Sequence, residues 1–181
     1  GSSALLPLVK DAAEKYKAEH KDVSISLNAG GSGTGLKQVS DGSVDMGNSD
    51  VPADTKLSKD QADKLEDHKV CVMTVATIAN KDVAGQVKSL TRQQLTDIFT
   101  GKITNWKEVG GPDEKVVLVT RPKTSGTRAL FKQYALNGAE EASNQSLETD
   151  NSGILVQSVA QNPGAIGYVA LPYLINDSTV G

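Results

Sequence analysis

The amino-acid sequence predicts an α/β protein in which parallel strands are joined by crossover helices. Short apolar runs with strand-like alternation or continuous burial, such as residues 23–27 and 116–120, are followed by segments of helical period. Glycine and small hydroxyl residues stand just before three of these helices, beginning at Gly1, Gly31 and Ser125. A β–loop–α–β order is satisfied most simply by a parallel sheet with helices on its faces.

The composition is that of an ordinary globular protein. Of the 181 residues, 38% are hydrophobic and 23% are charged, and the net charge of −3 gives no electrostatic footprint for nucleic acid. No run approaches the roughly 18 apolar residues of a membrane span, and no signal peptide is present. The single cysteine, Cys71, excludes an intrachain disulfide and is expected to be a small buried thiol.

The first half of the chain is predicted to begin with an amphipathic helix. Leu5, Val9 and Tyr16 share its apolar face, and Ser2 or Ser3 can cap its first turn. Alternation, helical period and glycine stops predict the elements that follow: a half-buried strand over 23–27, a short helix over 36–40 that stops at Asp41-Gly42, a short strand over 44–50, a charged helix within 52–67, and a long strand over 69–79 that could cross between domains.

The second half is predicted to alternate helices with buried strands. Trp106, the only tryptophan, is interpreted as a packing anchor because of its large apolar area. Residues 137–150 are polar and show no clear period. The predicted elements are a helix over 91–100 capped by Thr91 and ended by Gly101, a strand over 116–120, a helix after Thr127, a helix capped by Asn151 with Ile154, Leu155 and Val159 on its apolar face, and a strand over 165–169.

The glycine-rich loop over 29–37 is the first candidate for a binding element. Glycine lets the backbone approach a ligand closely, and a loop that opens a helix is expected to point unpaired N–H groups at an anion. Sharper nucleotide motifs fail, because Leu36 stands where a P-loop needs lysine and the dinucleotide fingerprint needs glycine. The Gly-x-Ser-x-Gly motif of a hydrolase nucleophile elbow is not matched either, because Thr34 stands where the motif needs its last glycine. A flexible surface turn is the alternative that this loop alone leaves open.

Arg121 and the three glycine- and hydroxyl-rich helix starts together predict an oxyanion site. If the three N-termini converge, they supply many N–H and O–H donors. Arg121 follows a strand and stands four residues before Ser125, so it can add a forked cation.

Asp50 is informative because a carboxylate in an anion site requires a ligand that carries a proton. Hydrogen phosphate can donate to Asp50, whereas sulfate at neutral pH offers only acceptors. The alternative is that Asp50 caps the next segment or pairs with Lys56.

Six motifs carry a family resemblance along nearly the whole chain. They are Gly1-Ser2-Ser3-Ala4-Leu5, Gly30-Gly31-Ser32-Gly33-Thr34-Gly35, Val44-Asp45-Met46-Gly47-Asn48-Ser49-Asp50, Ile103-Thr104-Asn105-Trp106, residues 121–127, and Pro163-Gly164-Ala165-Ile166-Gly167-Tyr168. With them the chain resembles the phosphate-binding proteins of bacterial ABC transporters, the PstS type of the periplasmic-binding-protein fold. The resemblance implies a two-lobed (type II) α/β architecture of mainly parallel sheets flanked by helices.

The resemblance also implies the residues that contact phosphate. They are Ser3, the main chain of Ala4, Ser32, Asp50, Arg121, Ser125, Gly126 and Thr127, with Arg121 bridging phosphate and Asp50. Lys123 stands where some family members have an acid that pairs with the arginine, so this site is expected to be more positive. No cofactor and no metal are implied.

Domain boundaries follow from the same resemblance. The first lobe is expected over 1–75, a crossover over 76–80, the second lobe over 81–170, and the start of a return crossover over 171–181. Family members begin with a strand before Gly1 and continue beyond Gly181, so the chain is expected to be a fragment with an incomplete first lobe. The implied protein is an extracytoplasmic, monomeric component of a phosphate importer that meets a membrane permease and touches the membrane only through a lipid anchor.

Three alternatives remain open at this stage. Another oxyanion such as sulfate or molybdate could be the ligand, although Asp50 argues against it. An enzyme is disfavoured because His20 and His68 stand in charged surface contexts and no metal-ligand spacing occurs. A scaffold or adhesion role, with a vestigial site, is the third.

Overall fold

The computed structural model describes every residue from Gly1 to Gly181 and contains seven α-helices and four β-strands. The helices are α1 (Leu6–Glu19), α2 (Ser32–Ser40), α3 (Lys59–Ala62), α4 (Lys81–Ala84), α5 (Arg92–Phe99), α6 (Gly126–Tyr134) and α7 (Ser152–Gln161). The strands are β1 (Val75–Ala79), β2 (Val117–Thr120), β3 (Ser146–Glu148) and β4 (Ala165–Ala170). None of the helices has both the length and the apolar character needed to cross a membrane.

The four strands form one mixed sheet in the order β1-β4-β2-β3. Strand β2 runs parallel to both of its neighbours, with Leu118 opposite Ser146 on one side and Ile166 on the other. Strand β1 runs antiparallel to β4, from Val75 opposite Ala170 to Ala79 opposite Ile166. The α/β class and the predominance of parallel pairing are therefore confirmed.

The core lies on the two faces of this sheet, because β4 is buried along its whole length. One face carries an aromatic cluster in which the Phe131 and Tyr168 rings stack at 4.2 Å and Phe99 meets Phe131 edge-on. Trp106 belongs to the same cluster, is fully buried, and donates from Nε1 to the Gly164 carbonyl oxygen at 2.8 Å. Its interpretation as a packing anchor is confirmed. Helix α7 covers the other face.

The chain divides into two compact units. The N-terminal unit consists of residues 1–71 and 124–126, and the sheet unit consists of residues 72–123 and 127–181. The lobe and crossover boundaries expected from the sequence stay a prediction.

The helix predictions with local end signals are confirmed. At the start of α5, the Thr91 hydroxyl oxygen accepts the Gln94 N–H, and the Gln94 side-chain oxygen accepts the Thr91 N–H. Gly101 ends that helix with φ of +78°. The Asn151 side chain accepts from the Ile154 N–H at the start of α7, although the Ile154 side chain is itself 45% exposed. Helix α1 begins at Leu6 without a side-chain cap, so a cap at Ser2 or Ser3 is wrong.

The strand predictions in the N-terminal unit are wrong. Residues 23–27 and 44–50 form no strand, and the long run over 69–79 becomes one only at Val75. A β-strand is stable only when a neighbour pairs with its main-chain groups, and no segment does so here. For the same reason Cys71 is exposed rather than buried: it lies in this unpaired stretch beside Val72, which is 99% exposed.

Replacement of Trp106 tests the aromatic core. We expect Trp106→Ala to lower the free energy of unfolding by about 3–5 kcal/mol, because it leaves a large cavity and removes the hydrogen bond from the indole to the Gly164 carbonyl oxygen. Urea denaturation measures the loss. Tyr134→Ala is the control, since that side chain is 66% exposed on α6. Equal losses in the two variants would contradict the role of Trp106.

Candidate functional site

In the N-terminal unit, two serine hydroxyls bind the carboxylate of Asp50. Ser2 Oγ donates to Oδ1 at 2.5 Å, and Ser32 Oγ donates to Oδ2 at 3.2 Å. The Asp50 N–H in turn donates to Ser32 Oγ at 3.0 Å. One serine therefore fixes each carboxylate oxygen, and the orientation of the acid is determined by the fold.

Ser2 also organises the turn that leads into α1. Its hydroxyl oxygen accepts the N–H groups of Ala4 at 3.1 Å and Leu5 at 3.2 Å, while its proton goes to Asp50. Ser2, Ser3 and Ala4 are each 3% exposed. The sequence drew attention to Ser3 and Ala4 but missed the contact of Ser2 with Asp50, because nothing in the chain near Ser2 indicates a partner 48 residues away.

The glycine-rich loop leads into α2, whose first residue is Ser32. Gly31 precedes it with φ of +89°, a conformation that favours glycine, and a side chain there would stand 2.9 Å from the Thr124 carbonyl oxygen. The N–H groups of Gly30 and Gly31 donate to the Gly1 carbonyl, and that of Gly33 donates to Thr124. The expectation that these N–H groups are unpaired is therefore wrong, because the loop uses them to bind neighbouring chain segments.

Gly126 lies directly against the Asp50 carboxylate. A Cβ atom on Gly126 would collide with Ser32 Oγ and would stand 2.6 Å from Asp50 Oδ2. Ser125, the residue before it, is 1% exposed. The main chain of Gly126 thus approaches the Asp50–Ser32 pair so closely that only glycine fits.

In the sheet unit, Arg121 follows β2 and is 1% exposed. Its guanidinium donates from Nε to the Thr149 carbonyl at 3.1 Å, from Nη1 to Ser152 Oγ at 3.2 Å, and from Nη2 to the Asp150 carbonyl at 3.0 Å. These three bonds, all to uncharged oxygens, fix the plane of the guanidinium. Thr127, the other predicted contact in this unit, is also 1% exposed.

The turn over 149–152 was missed as part of the site. The sequence predicted only its capping role, which Asn151 performs. Two of the three acceptors for Arg121 are main-chain carbonyls, which any residue type provides, so the sequence carries no signal for them. Ser152 is fully buried, and its hydroxyl oxygen accepts from the guanidinium.

Other candidate features lie away from these residues. His20 and His68 are exposed, and no group of three or more His, Cys, Asp or Glu side chains could hold a metal ion. Lys123 is exposed. A cavity of about 280 Å³ lies in the sheet unit beside β1 and Trp106, and none of the predicted contact residues lines it.

Comparison with known proteins gives a consistent result. A family model described as a PBP superfamily domain matches residues 1–180. The chain is 51% identical over 177 residues to the phosphate-binding protein PstS of Bacillus subtilis, covering 98% of this chain and 57% of the relative. It is 31% identical to the phosphate-binding protein PstS of Staphylococcus epidermidis, covering 93% of this chain and 52% of the relative. The chain thus spans somewhat more than half the length of these relatives.

Solved structures agree with the sequence relatives. A Clostridium perfringens protein crystallised with bound phosphate superposes with a TM-score of 0.84 at 33% identity, covering 100% of this chain and 72% of that one. An ABC-type phosphate transport receptor from Vibrio cholerae gives a TM-score of 0.66 at 25% identity, again covering 100% and 72% of the two chains. The resemblance inferred from the six motifs is confirmed.

Substitution of Gly126 tests the close approach of its main chain to Asp50. We expect Gly126→Ala to lower the free energy of unfolding by about 1–3 kcal/mol, because the added methyl group displaces Ser32 or Asp50. Gly153→Ala is the matched control. Gly153 also lies in the first turn of a helix, and a Cβ there meets only atoms at 3.6 Å or beyond. Urea denaturation compares the two variants; an unchanged Gly126→Ala protein would contradict the approach.

Proposed function

The chain belongs to the PBP superfamily, and on that premise we propose that it captures inorganic phosphate as the substrate-binding component of an ABC-type importer. The observation that carries the proposal is the Asp50 carboxylate, oriented by the Ser2 and Ser32 hydroxyls and packed against Gly126. The names of its relatives support it, since they are phosphate-binding proteins or were solved with phosphate bound. On this proposal the chain binds its ligand and catalyses no reaction.

Asp50 favours hydrogen phosphate over fully ionised oxyanions. The two serine bonds orient a carboxylate that accepts hydrogen bonds and has no proton of its own to donate, so it suits a ligand that brings a proton. Hydrogen phosphate offers that proton at neutral pH. Sulfate brings only acceptor oxygens, and its oxygens and the carboxylate would repel each other in a site shielded from water.

Arg121 supplies the positive charge for the anion. Its guanidinium is held in one plane by uncharged acceptors, as a preorganised oxyanion contact requires. Further hydrogen-bond donors complete the proposed set: the hydroxyls of Ser3, Ser32, Ser125 and Thr127 and the main-chain N–H groups of Ala4 and Gly126.

The proposed partners follow from the same role. The complete protein would act outside the cytoplasm as a monomer, reach the membrane through a lipid anchor, and deliver phosphate to a permease. The alternatives to phosphate capture are binding of another oxyanion and use of the fold as a scaffold, and the experiments below distinguish them.

Arg121→Ala is expected to weaken phosphate binding by about a hundredfold or more, because the positive charge and its charge-assisted hydrogen bonds to the anion are lost. Isothermal titration calorimetry on protein that has been unfolded and refolded to remove bound anion measures the change. His68→Ala, at an exposed side chain, is the control and should bind like the wild type. Absence of phosphate binding by the folded wild-type chain would overturn the proposal.

Asp50→Asn is expected to increase the affinity for sulfate more than it decreases the affinity for phosphate. The amide is uncharged and can donate to a sulfate oxygen, so sulfate affinity should rise by about tenfold or more. Parallel titrations with both anions measure the two changes, and Asp54→Asn, at an exposed position, controls for the loss of one charge. If sulfate stays excluded from the Asp50→Asn protein, Asp50 does not select the ligand by its proton.

A further inference from the structure

The main chain of Arg121 is held on both sides by buried side chains. Its N–H donates to the Tyr168 hydroxyl oxygen at 3.3 Å, and its carbonyl oxygen accepts from Arg128 Nη1 at 2.6 Å. Tyr168 is 0% exposed and Arg128 is 7% exposed. These two bonds are separate from those of the guanidinium group, so they determine where the backbone of Arg121 lies.

Arg128 is therefore a second buried cation, and a buried cation needs a nearby negative charge. Two carboxylates lie 3.7 Å from its guanidinium, those of Glu140 and Glu141. The Glu140 side chain is 63% exposed and also pairs with Lys132, whereas the Glu141 side chain is 1% exposed. Water weakens the attraction of the exposed charge, so Glu141 is the carboxylate that balances Arg128.

The charge of Glu141 is sensitive to its surroundings. Arg128 Nε lies 3.7 Å from its Oε2 atom, too far for a hydrogen bond. Burial is the main effect and raises the pKa of this carboxyl. The Tyr168 hydroxyl and the Arg128 guanidinium lower the same pKa, whereas the negative charges of Glu140 and Glu148 raise it. These groups face Glu141 from β4, α6, its own loop and β3. Together these effects place the pKa of Glu141 above the usual value of a glutamate, so Glu141 loses its charge nearer to neutral pH than an exposed glutamate does.

We propose that Glu141 is a positioning residue for the anion contact of Arg121. The ionised carboxylate keeps Arg128 on the Arg121 carbonyl oxygen, and Arg128 thereby holds the backbone that carries the binding guanidinium. When Glu141 is neutral, the negative charge of this buried carboxylate beside Arg128 is lost, and the hold of Arg128 on the Arg121 carbonyl oxygen weakens. The inference rests on the proposed function, because the guanidinium it positions is the proposed phosphate contact; Glu141 itself is outside the set of proposed phosphate contacts.

Phosphate binding by the wild type and Glu141→Gln, measured by calorimetry between about pH 5 and pH 8, tests the proposal. Phosphate itself titrates in this range, but it does so equally for both proteins, so the ratio of their Kd values removes that effect. We expect the variant to bind about tenfold more weakly at the alkaline end. The ratio should fall towards one as the pH drops through the pKa of Glu141, where the wild type also becomes neutral.

Glu140→Gln is the matched control, because it removes the same charge beside the same arginine from an exposed position. Its Kd should stay within about twofold of the wild type across the range. A ratio for Glu141→Gln that is near one at alkaline pH, or that does not change with pH, overturns the positioning role.

A nuclear magnetic resonance experiment without phosphate separates this inference from the proposed function and needs no variant. In the wild type, the Glu141 carboxyl carbon and the Arg121 Nε–H resonance should titrate with a common midpoint. An Arg121 resonance that does not follow Glu141 overturns the positioning role, whether or not the chain binds phosphate. If the two titrate together but the wild type shows no phosphate binding, the proposed function fails while the coupling of Glu141 to Arg121 stands.

Discussion

The charged groups of Asp50 and Arg121 receive hydrogen-bond partners from distant parts of the chain, and the local structure within each unit depends on these bonds. A charge withdrawn from water without such partners costs several kcal/mol. Asp50 receives one serine from the start of α1 and another from the start of α2. Arg121 receives the turn before α7. The helix starts that appear in the sequence as separate motifs are thus held in place by the charges they contact.

The sequence predicted those elements whose signal lies in adjacent residues. It failed for several strands, because a strand depends on a pairing segment elsewhere in the chain. Thr91 and Asn151 begin helices because their side chains accept N–H groups three residues ahead, which the sequence shows directly. Strands β2 and β4 are apolar runs that the sheet buries. The alternation over 23–27 is equally regular but finds no pairing segment. Strand β3 was missed because it lies at a sheet edge with two of its three residues exposed, so it lacks an apolar pattern.

The candidate site was predicted to a similar extent. Asp50 and Arg121 attract attention because an acid and a cation among glycines and hydroxyls have few ordinary explanations, and the structure embeds both in hydrogen bonds. Their partners carry weaker signals or none: Ser2 was considered only as a cap, and the carbonyls of Thr149 and Asp150 exist whatever the side chain. Glu141 could not have been recognised, since a glutamate after a helix is an ordinary surface residue until its burial is known.

The central position of β4 has a consequence for the order in which the protein forms. Strand β1 pairs with β4 residue by residue from Val75 to Ala79, yet β4 ends only at Ala170. During synthesis, β1 therefore emerges from the ribosome long before its partner exists, and β2, which can pair with β3 on one side, lacks its other neighbour until β4 is made. Closing such long loops slows folding and leaves apolar strand edges exposed to other chains in the meantime. Folding of the sheet unit is therefore completed only after translation has passed β4.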